Sequence, residues 1–572
     1  MPARLAYFRS HASSLRIRGS DFLRRHFFTL GLVIGTVFFS ISLTPSLLPR
    51  TSVVQGILSG CAFAAGYGLG AAIQWSCEAL GAKMPRGRFA TWLTTLAALA
   101  CLVLVLVTLN YTLVWQNSVR SVMGMELADN AQPLLIALVA IGPALLLIFL
   151  GKLVVMAIHL VWRWLEKLPY VPRRVALAAS ILIVGILGGV LVDGVLLRAA
   201  LRAADGFYER LDELVPQDDP APARPEQTGS GASLIPWSSI GRDARVYVTS
   251  GPDAAAIEAM THKPAIDPLR IYVGLRSAPT LEERVALALA EMDRVGAFKR
   301  SVLVLAMPVG TGWVDPAAMD TLEYLHGGDV ASVAIQYSYL TSWLSLVVEP
   351  DHGINTAQAL FEAVYERWTA MSPSARPRLY LHGLSQGALV SQASSQPFDI
   401  LADPYQGALW AGPPFSSGVW RFATNSRHPD SPQFLPRFGN QRAIRFANQN
   451  GVLDGQGAKW GPLRIVFLQY ASDPIVFFQP EALYREPDWM QAPRGFDVSP
   501  ALTWYPVVTF LQLALDMALA QTSPIGYGHV YAPAHYIDAW LAVSDPPGWS
   551  PDQIAALKAA IDPHDYLPDW AK

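Results

Sequence analysis

The sequence predicts an α-helical membrane bundle of about five spans followed by an α/β domain with a mostly parallel sheet. Three observations predict it. Apolar runs of ~20 residues, enough to cross ~30 Å of hydrocarbon, fill positions 27–200. From residue 234 onward, short β-rich runs alternate with helical patterns, as in a parallel sheet covered on both faces. Between the two lies Pro216-Gln217-Asp218-Asp219-Pro220-Ala221-Pro222, continuing to Ser233, with the Pro, Gly and polar content of a linker.

Composition agrees with a partly lipid-embedded chain. Its 572 residues are 52% hydrophobic and 15% charged, with a mean hydropathy of +0.28, whereas ordinary soluble domains are about a quarter charged. A net charge of −2 gives no reason to expect nucleic acid or another polyanion as a partner. The three cysteines, Cys61, Cys77 and Cys101, all fall in the hydrophobic first third. That excludes a disulfide-dependent secreted scaffold, and a cysteine metal site or thiol nucleophile in the second domain.

Residues 1–26 carry Arg4, Arg9, Arg16, Arg18, Arg24 and Arg25 against one acid, Asp21. The apolar run that follows is long and has successors, so it reads as a first anchor and not a cleaved leader. The runs are Phe27–Leu48, Val54–Cys77, Ala90–Val114, Pro133–Leu160 and Val175–Leu197. Basic residues concentrate in alternate loops: the N-terminus, Lys83/Arg86/Arg88, and Arg163/Lys167/Arg173/Arg174. The N-terminus is therefore expected in the cytoplasm and the second domain outside it, in a multi-pass inner-membrane protein. Gly66, Gly68 and Gly70, and Gly185, Gly188 and Gly189, suggest close helix approach. Gln74, His159 and Asp193 are isolated polar exceptions and do not form an ion path.

In the second domain the expected strands are Arg270–Leu275, Ser301–Met307, Ala331–Tyr337, a strand ending at Ser385, Gly407–Ala411 and Arg464–Tyr470. Thr280-Leu281-Glu282-Glu283 is a capping box opening a helix to about Val295. Further helices are expected near Ala317–Leu325, Thr356–Thr369 and Tyr536–Val543. This is a doubly wound plan, which puts active groups at the carboxyl ends of the strands. Between Pro413 and Trp460 lies an insertion with Trp420, Phe422, Phe434 and Phe438 in the position of a lid. The apolar stretch Trp504–Leu519 reads as a buried helix or one lying on the bilayer.

The chemistry centres on Gly383-Leu384-Ser385-Gln386-Gly387, entered by a strand and left by a helix-compatible segment. A serine on so sharp a turn stands clear as a nucleophile, and flanking glycines let strand and helix close around it. It needs a base and an orienting acid. Asp473, just past a late strand, is the acid, although an Asp-Pro turn is the plain alternative. His529, in Gly526-Tyr527-Gly528-His529, is the base. His535, with Asp538 beside it, is the rival, disfavoured because the next helix should already have begun. The oxyanion donors are expected to be the amide of Gln386 and that of Thr311 or Gly312, in the loop Pro308–Trp313. That loop lacks the lysine of a nucleotide-binding loop. Trp313, Gln336 and Tyr337 either line the pocket or, for Gln336 and Tyr337, are packed structural groups. No cofactor or metal is expected.

The chain resembles a bacterial membrane-anchored α/β-hydrolase-like family that joins a multi-span hydrophobic domain to a catalytic domain. The resemblance rests on Arg294-Val295-Gly296-Ala297-Phe298, Gly310-Thr311-Gly312-Trp313-Val314-Asp315-Pro316, Gly328-Asp329-Val330-Ala331, Gln336-Tyr337-Ser338-Tyr339-Leu340, the serine motif and Gly528-His529. It implies an esterase-like or acyl-transferring hydrolase with its serine at Ser385, and no particular substrate. The expected organisation is a basic N-terminus (1–26), a transmembrane domain (27–200), a connector (201–233) and an α/β-hydrolase-like catalytic domain (234–572). Membrane lipid or another envelope molecule carrying an ester or acyl group is the expected substrate. A non-catalytic scaffold that keeps the fold is the competing expectation.

Overall fold

The computed structural model describes residues 28–81, 87–168, 171–191, 220–341, 344–345, 350–395, 400–453 and 457–566. The basic segment 1–26, Lys83, Arg86, Asp193 and the connector up to residue 219 lie outside the described residues. The chain divides into two compact units, and part of the later sequence belongs to the first: Gln479–Met490 and Val498–Ala518 group with the N-terminal helices.

In the first unit, α1 (Thr29–Ser42), α2 (Ser52–Ala79), α3 (Gly87–Val122), α4 (Pro133–Leu165) and α5 (Arg173–Gly189) follow the apolar runs. Three of them, α2, α3 and α4, are long and apolar enough to cross a membrane. The first run falls short as a helix: α1 has 14 residues, ~21 Å of rise. The reason is Pro45, which disfavours helical geometry at Thr44, and the helix ends at Ser42, two residues before Thr44. The described part of α5 has 17 residues.

Glycine on α2 lets its neighbours approach to backbone distance. A Cβ on Gly60 would sit 2.3 Å from the Ala140 carbonyl oxygen on α4, and one on Gly66 2.7 Å from that of Ile34 on α1. Gly31 and Gly35 on α1 approach the Tyr67 and Phe63 carbonyl oxygens in the same way, a Cβ on either lying 2.9 Å away, whereas Gly68, Gly185, Gly188 and Gly189 face open space. The apolar helix Val508–Ala518 packs on α1 and α2 of this unit. It is therefore not a core helix of the α/β domain. Gln512 Nε2 donates to the Thr44 carbonyl at 2.9 Å.

The second unit is built on an eight-stranded sheet in the order β1-β3-β2-β4-β5-β8-β6-β7. Its strands are β1 (Leu269–Val273), β2 (Val302–Met307), β3 (Val330–Ile335), β4 (Arg378–Leu384), β5 (Gly407–Ala411), β6 (Ile444–Asn448), β7 (Gly451–Val452) and β8 (Arg464–Leu468). Every pairing is parallel except β6 with β7. β1, β2 and β3 are buried along their whole length, as parallel strands covered on both faces must be.

The Thr280–Glu283 capping box forms and opens the helix Leu281–Val295, which ends on Gly296 at φ 74°. Two readings change. The insertion expected as a lid contributes a helix, Gly418–Asn425, and the strands β6 and β7, so part of it belongs to the sheet. The later part of the expected linker is packed: Thr228 is buried and its hydroxyl donates to the Arg270 carbonyl at 2.9 Å.

Candidate active site

Strand β4 ends at Leu384 and the helix Gln386–Gln392 begins one residue later, leaving Ser385 alone in the turn. Its backbone sits at φ 54°, ψ −126°, a conformation that costs a non-glycine residue of order 1–3 kcal/mol. The surroundings hold it there. Ser385 N–H donates to the Ala411 carbonyl at the end of β5 at 3.0 Å. A Cβ on Gly383 would meet the Gly387 carbonyl at 2.3 Å, and one on Gly387 would meet the Met307 carbonyl oxygen at 2.3 Å. Both glycines are thus required by backbone contact.

Asp473 follows β8 and caps the short helix Pro474–Phe477, accepting from Ile475 N–H at 2.8 Å through Oδ1. The turn and the acid are the same residue, because the other oxygen is free for a second partner. Oδ2 lies 2.7 Å from His529 Nδ1. Both side chains are almost wholly removed from solvent.

His529 is presented by a tight loop in which Gly526 N–H donates to the Val530 carbonyl at 2.8 Å, with positive φ at Gly526 and Gly528. The ring lies against Gly412, where a Cβ would be 2.6 Å from His529 Cε1. Gly412 adjoins Ala411, the residue whose carbonyl holds the Ser385 amide. Base and serine therefore share one end of the sheet. His529 Nε2 is buried without a hydrogen-bond partner among the described residues, so the Ser385–His529 hydrogen bond itself is not made. Such contacts often tighten only when substrate is present.

The rival histidine is differently employed. His535 lies within the helix Pro533–Ser544 and its Nδ1 is 2.6 Å from the Tyr470 hydroxyl. Burial pushes its pKa down to about 4.

Among the oxyanion candidates, Gly312 N–H already donates to the Val309 carbonyl at 2.9 Å, while its own carbonyl accepts from Tyr272 Oη at 2.7 Å. Among the described residues the Thr311 amide has no such engagement and neither has that of Gln386, at the start of its helix. Thr311 is braced from two sides: its hydroxyl donates to Asp243 Oδ2 at 3.0 Å and its carbonyl accepts from Gln336 Nε2 at 3.3 Å. Gln336 also accepts from Leu275 N–H at 3.2 Å, which makes it a buried brace of this loop. Trp313 is half-buried and its carbonyl accepts from Val309 N–H at 2.9 Å. Tyr337 is buried, its hydroxyl without a partner among the described residues and its ring packed where a Cβ on Gly353 would meet it at 3.1 Å.

Several polar residues around the site escaped the sequence reading. Tyr531 Oη donates to Asp473 Oδ2 at 2.7 Å. Asp497 Oδ2 accepts from both the amide and the hydroxyl of Ser472, at 3.0 and 2.7 Å, and the same hydroxyl accepts from Gly528 N–H at 2.9 Å. Gln449 Nε2 bridges Asp497 and the Gly526 carbonyl at 3.0 and 3.1 Å. The acid loop and the histidine loop are thereby laced together. Asp315 accepts from Tyr536 Oη at 2.7 Å, and burial pushes its pKa up to about 6. Only Tyr531, two residues past His529, had a positional signal; Asp497 had none.

Two family models match the chain. One, described as an alpha/beta-hydrolase family, covers residues 269–557, and one described as the N-terminus of an alpha/beta-hydrolase family covers residues 43–252. No curated protein and no solved structure matches.

Proposed function

The chain belongs to this alpha/beta-hydrolase family, and from that premise we propose that it is a membrane-tethered serine hydrolase or acyltransferase acting on an ester or acyl group of a lipid or envelope molecule. The observation that carries the reading is the 2.7 Å contact between Asp473 and His529 at the sheet end that holds the strained Ser385 turn.

In this mechanism Ser385 Oγ attacks the acyl carbonyl while His529 Nε2 takes its proton. Asp473 keeps the other ring proton on Nδ1 and stabilises the imidazolium. The amides of Gln386 and Thr311 receive the oxyanion. His529 then returns the proton to the leaving alcohol, and the acyl group stays on Ser385. Water resolves the ester in hydrolysis, and a second alcohol does so in transfer.

Orientation has its own support. Asp516 and Ser499 meet Arg50 and Ser118, at 2.9 and 2.8 Å, within the first unit. Ser118 lies at the opposite end of α3 from Arg88, and Arg163 lies near the end of α4 that leads to Arg173 and Arg174. Within the first unit, Val498–Ala518 thus meets the bundle at the end away from its basic loops, the end that is extracytoplasmic when those loops and the N-terminus are cytoplasmic.

Turnover of a short-chain p-nitrophenyl ester by the purified full chain tests the proposal. Ser385→Ala is expected to fall to the background rate, and equal turnover by the two proteins would overturn it.

A further inference from the structure

Asp473 has two oxygens with different duties. Oδ1 caps the following helix through Ile475 N–H at 2.8 Å. Oδ2 alone faces the histidine, and it accepts two hydrogens, one from His529 Nδ1 and one from Tyr531 Oη, both at 2.7 Å. The carboxylate is wholly buried, so each donor acts on it without competition from solvent.

The phenol is locked in that position. The Tyr531 ring stacks on Tyr470, with centroids 4.4 Å apart and planes at 23°. Its Cε2 edge lies where a Cβ on Gly412 would be 2.9 Å away. The Tyr470 hydroxyl is held by Ala532 N–H at 3.1 Å and by His535. Burial and the charge of Asp473 hold the Tyr531 pKa well above its ordinary value, so the phenol remains a donor throughout the working pH range.

Resting on the assignment of Ser385, His529 and Asp473 given above, we infer that Tyr531 is a positioning residue that sets the pH at which His529 becomes a base. A second donor on Oδ2 spreads the carboxylate's negative charge. It thereby weakens the pull of Asp473 on the imidazolium. Without it, Asp473 stabilises protonated His529 more strongly, and the base is lost at a higher pH.

Other groups face this cluster. Asp315 and Tyr536 approach from the loop after β2 and from the helix Pro533–Ser544, and are bonded to each other at 2.7 Å. Tyr470 and His535 lie behind the Tyr531 ring, and Asp497 reaches the cluster through Ser472. None of these donates to Asp473 Oδ2, and all are retained in the variants compared, so they cancel in the difference.

The test is the second-order rate of fluorophosphonate labelling as a function of pH, on the full chain in detergent micelles. For Tyr531→Phe the acid limb should move up by about half to one pH unit, in keeping with the loss of one hydrogen bond to a charged group. Replacing Tyr531 by 3-fluorotyrosine, a stronger donor, should move the limb down. Ser385→Ala reports on the underlying assignment: if it labels as wild type does, the triad itself is wrong, whatever Tyr531 does. If wild type labels at Ser385 but the limb stays in place in both Tyr531 variants, or only the plateau falls, Tyr531 is merely structural and the inference is overturned. Should the phenylalanine variant fail to fold, the fluorinated protein decides by the sign of its shift.

Discussion

Arg50 and Asp516, 466 residues apart in the chain, form an ion pair at 2.9 Å in which neither side chain touches solvent. The guanidinium also reaches Ser46 and Gln55, and the carboxylate accepts from Leu47 N–H at 3.0 Å. Helix Val508–Ala518, which carries Asp516, lies in sequence between Asp473 and His529. The chain that leaves the acid therefore passes through the first unit before it delivers the base.

Asp516→Ala is expected to lower the thermal midpoint of the full chain in detergent by on the order of ten degrees. Removing one partner leaves a buried charge uncompensated, at a cost of about 3–5 kcal/mol. Arg173→Ala is the control, because Arg173 is 80% exposed in its pair with Glu166 and such pairs contribute about 1 kcal/mol or less. Equal midpoints for the two variants would contradict the role given to Asp516.

Two glycine-to-alanine changes should differ sharply. Gly387→Ala drives a methyl group to 2.3 Å from the Met307 carbonyl oxygen, so stability and turnover are both lost. Gly418→Ala, at the start of a helix and facing open space, should be neutral or raise stability by up to about 1 kcal/mol. Thermal melts and ester turnover of both variants check this.

Asp315 should make the protein less stable as pH rises. Its folded pKa of about 6 lies above the ordinary aspartate value of 3.8, so between these values the folded state holds more of this proton than the unfolded state does. Stability from this group is greatest below pH ~4 and declines up to pH ~6. Asp315→Asn removes the titration, keeps one oxygen to accept from Ala317 N–H, and places its amide NH2 opposite the Tyr536 hydroxyl, which can accept from it. The melting temperature of the variant minus that of wild type should therefore increase from pH 4 to pH 6. A difference that stays flat or decreases would count against the burial cost assigned to Asp315.

Exchange of the histidines discriminates between the two assignments. His529→Ala should abolish ester turnover, while His535→Ala, whose partner is the Tyr470 hydroxyl, should retain it. The reverse pattern would reassign the base.

The parts of the fold that were legible in the sequence are those that local chemistry dictates. β1 to β5 and β8 are predominantly apolar runs because a parallel sheet buries both faces, and their expected bounds came within two residues of those observed. Gly383 and Gly387 were readable because the collision they avoid is with adjacent backbone. β6 was not, since Arg445 and Asn448 leave only Ile444, Phe446 and Ala447 as apolar residues inside the expected insertion. The helix Val508–Ala518 looked like any apolar helix, because nothing local distinguishes a neighbour in the sheet domain from α1 and α2. Gly312 was a plausible oxyanion donor until its amide was found turned onto Val309. Asp497 acts through Ser472 and Gln449, contacts that no spacing reveals.

The central claim is that Ser385 is the nucleophile, and peptide mapping after treatment of the full chain with a fluorophosphonate tests it most directly. The account predicts a single stoichiometric adduct on the peptide containing Ser385, lost in Ser385→Ala and strongly slowed in His529→Ala. An adduct on another residue, or equal labelling of wild type and Ser385→Ala, would contradict it.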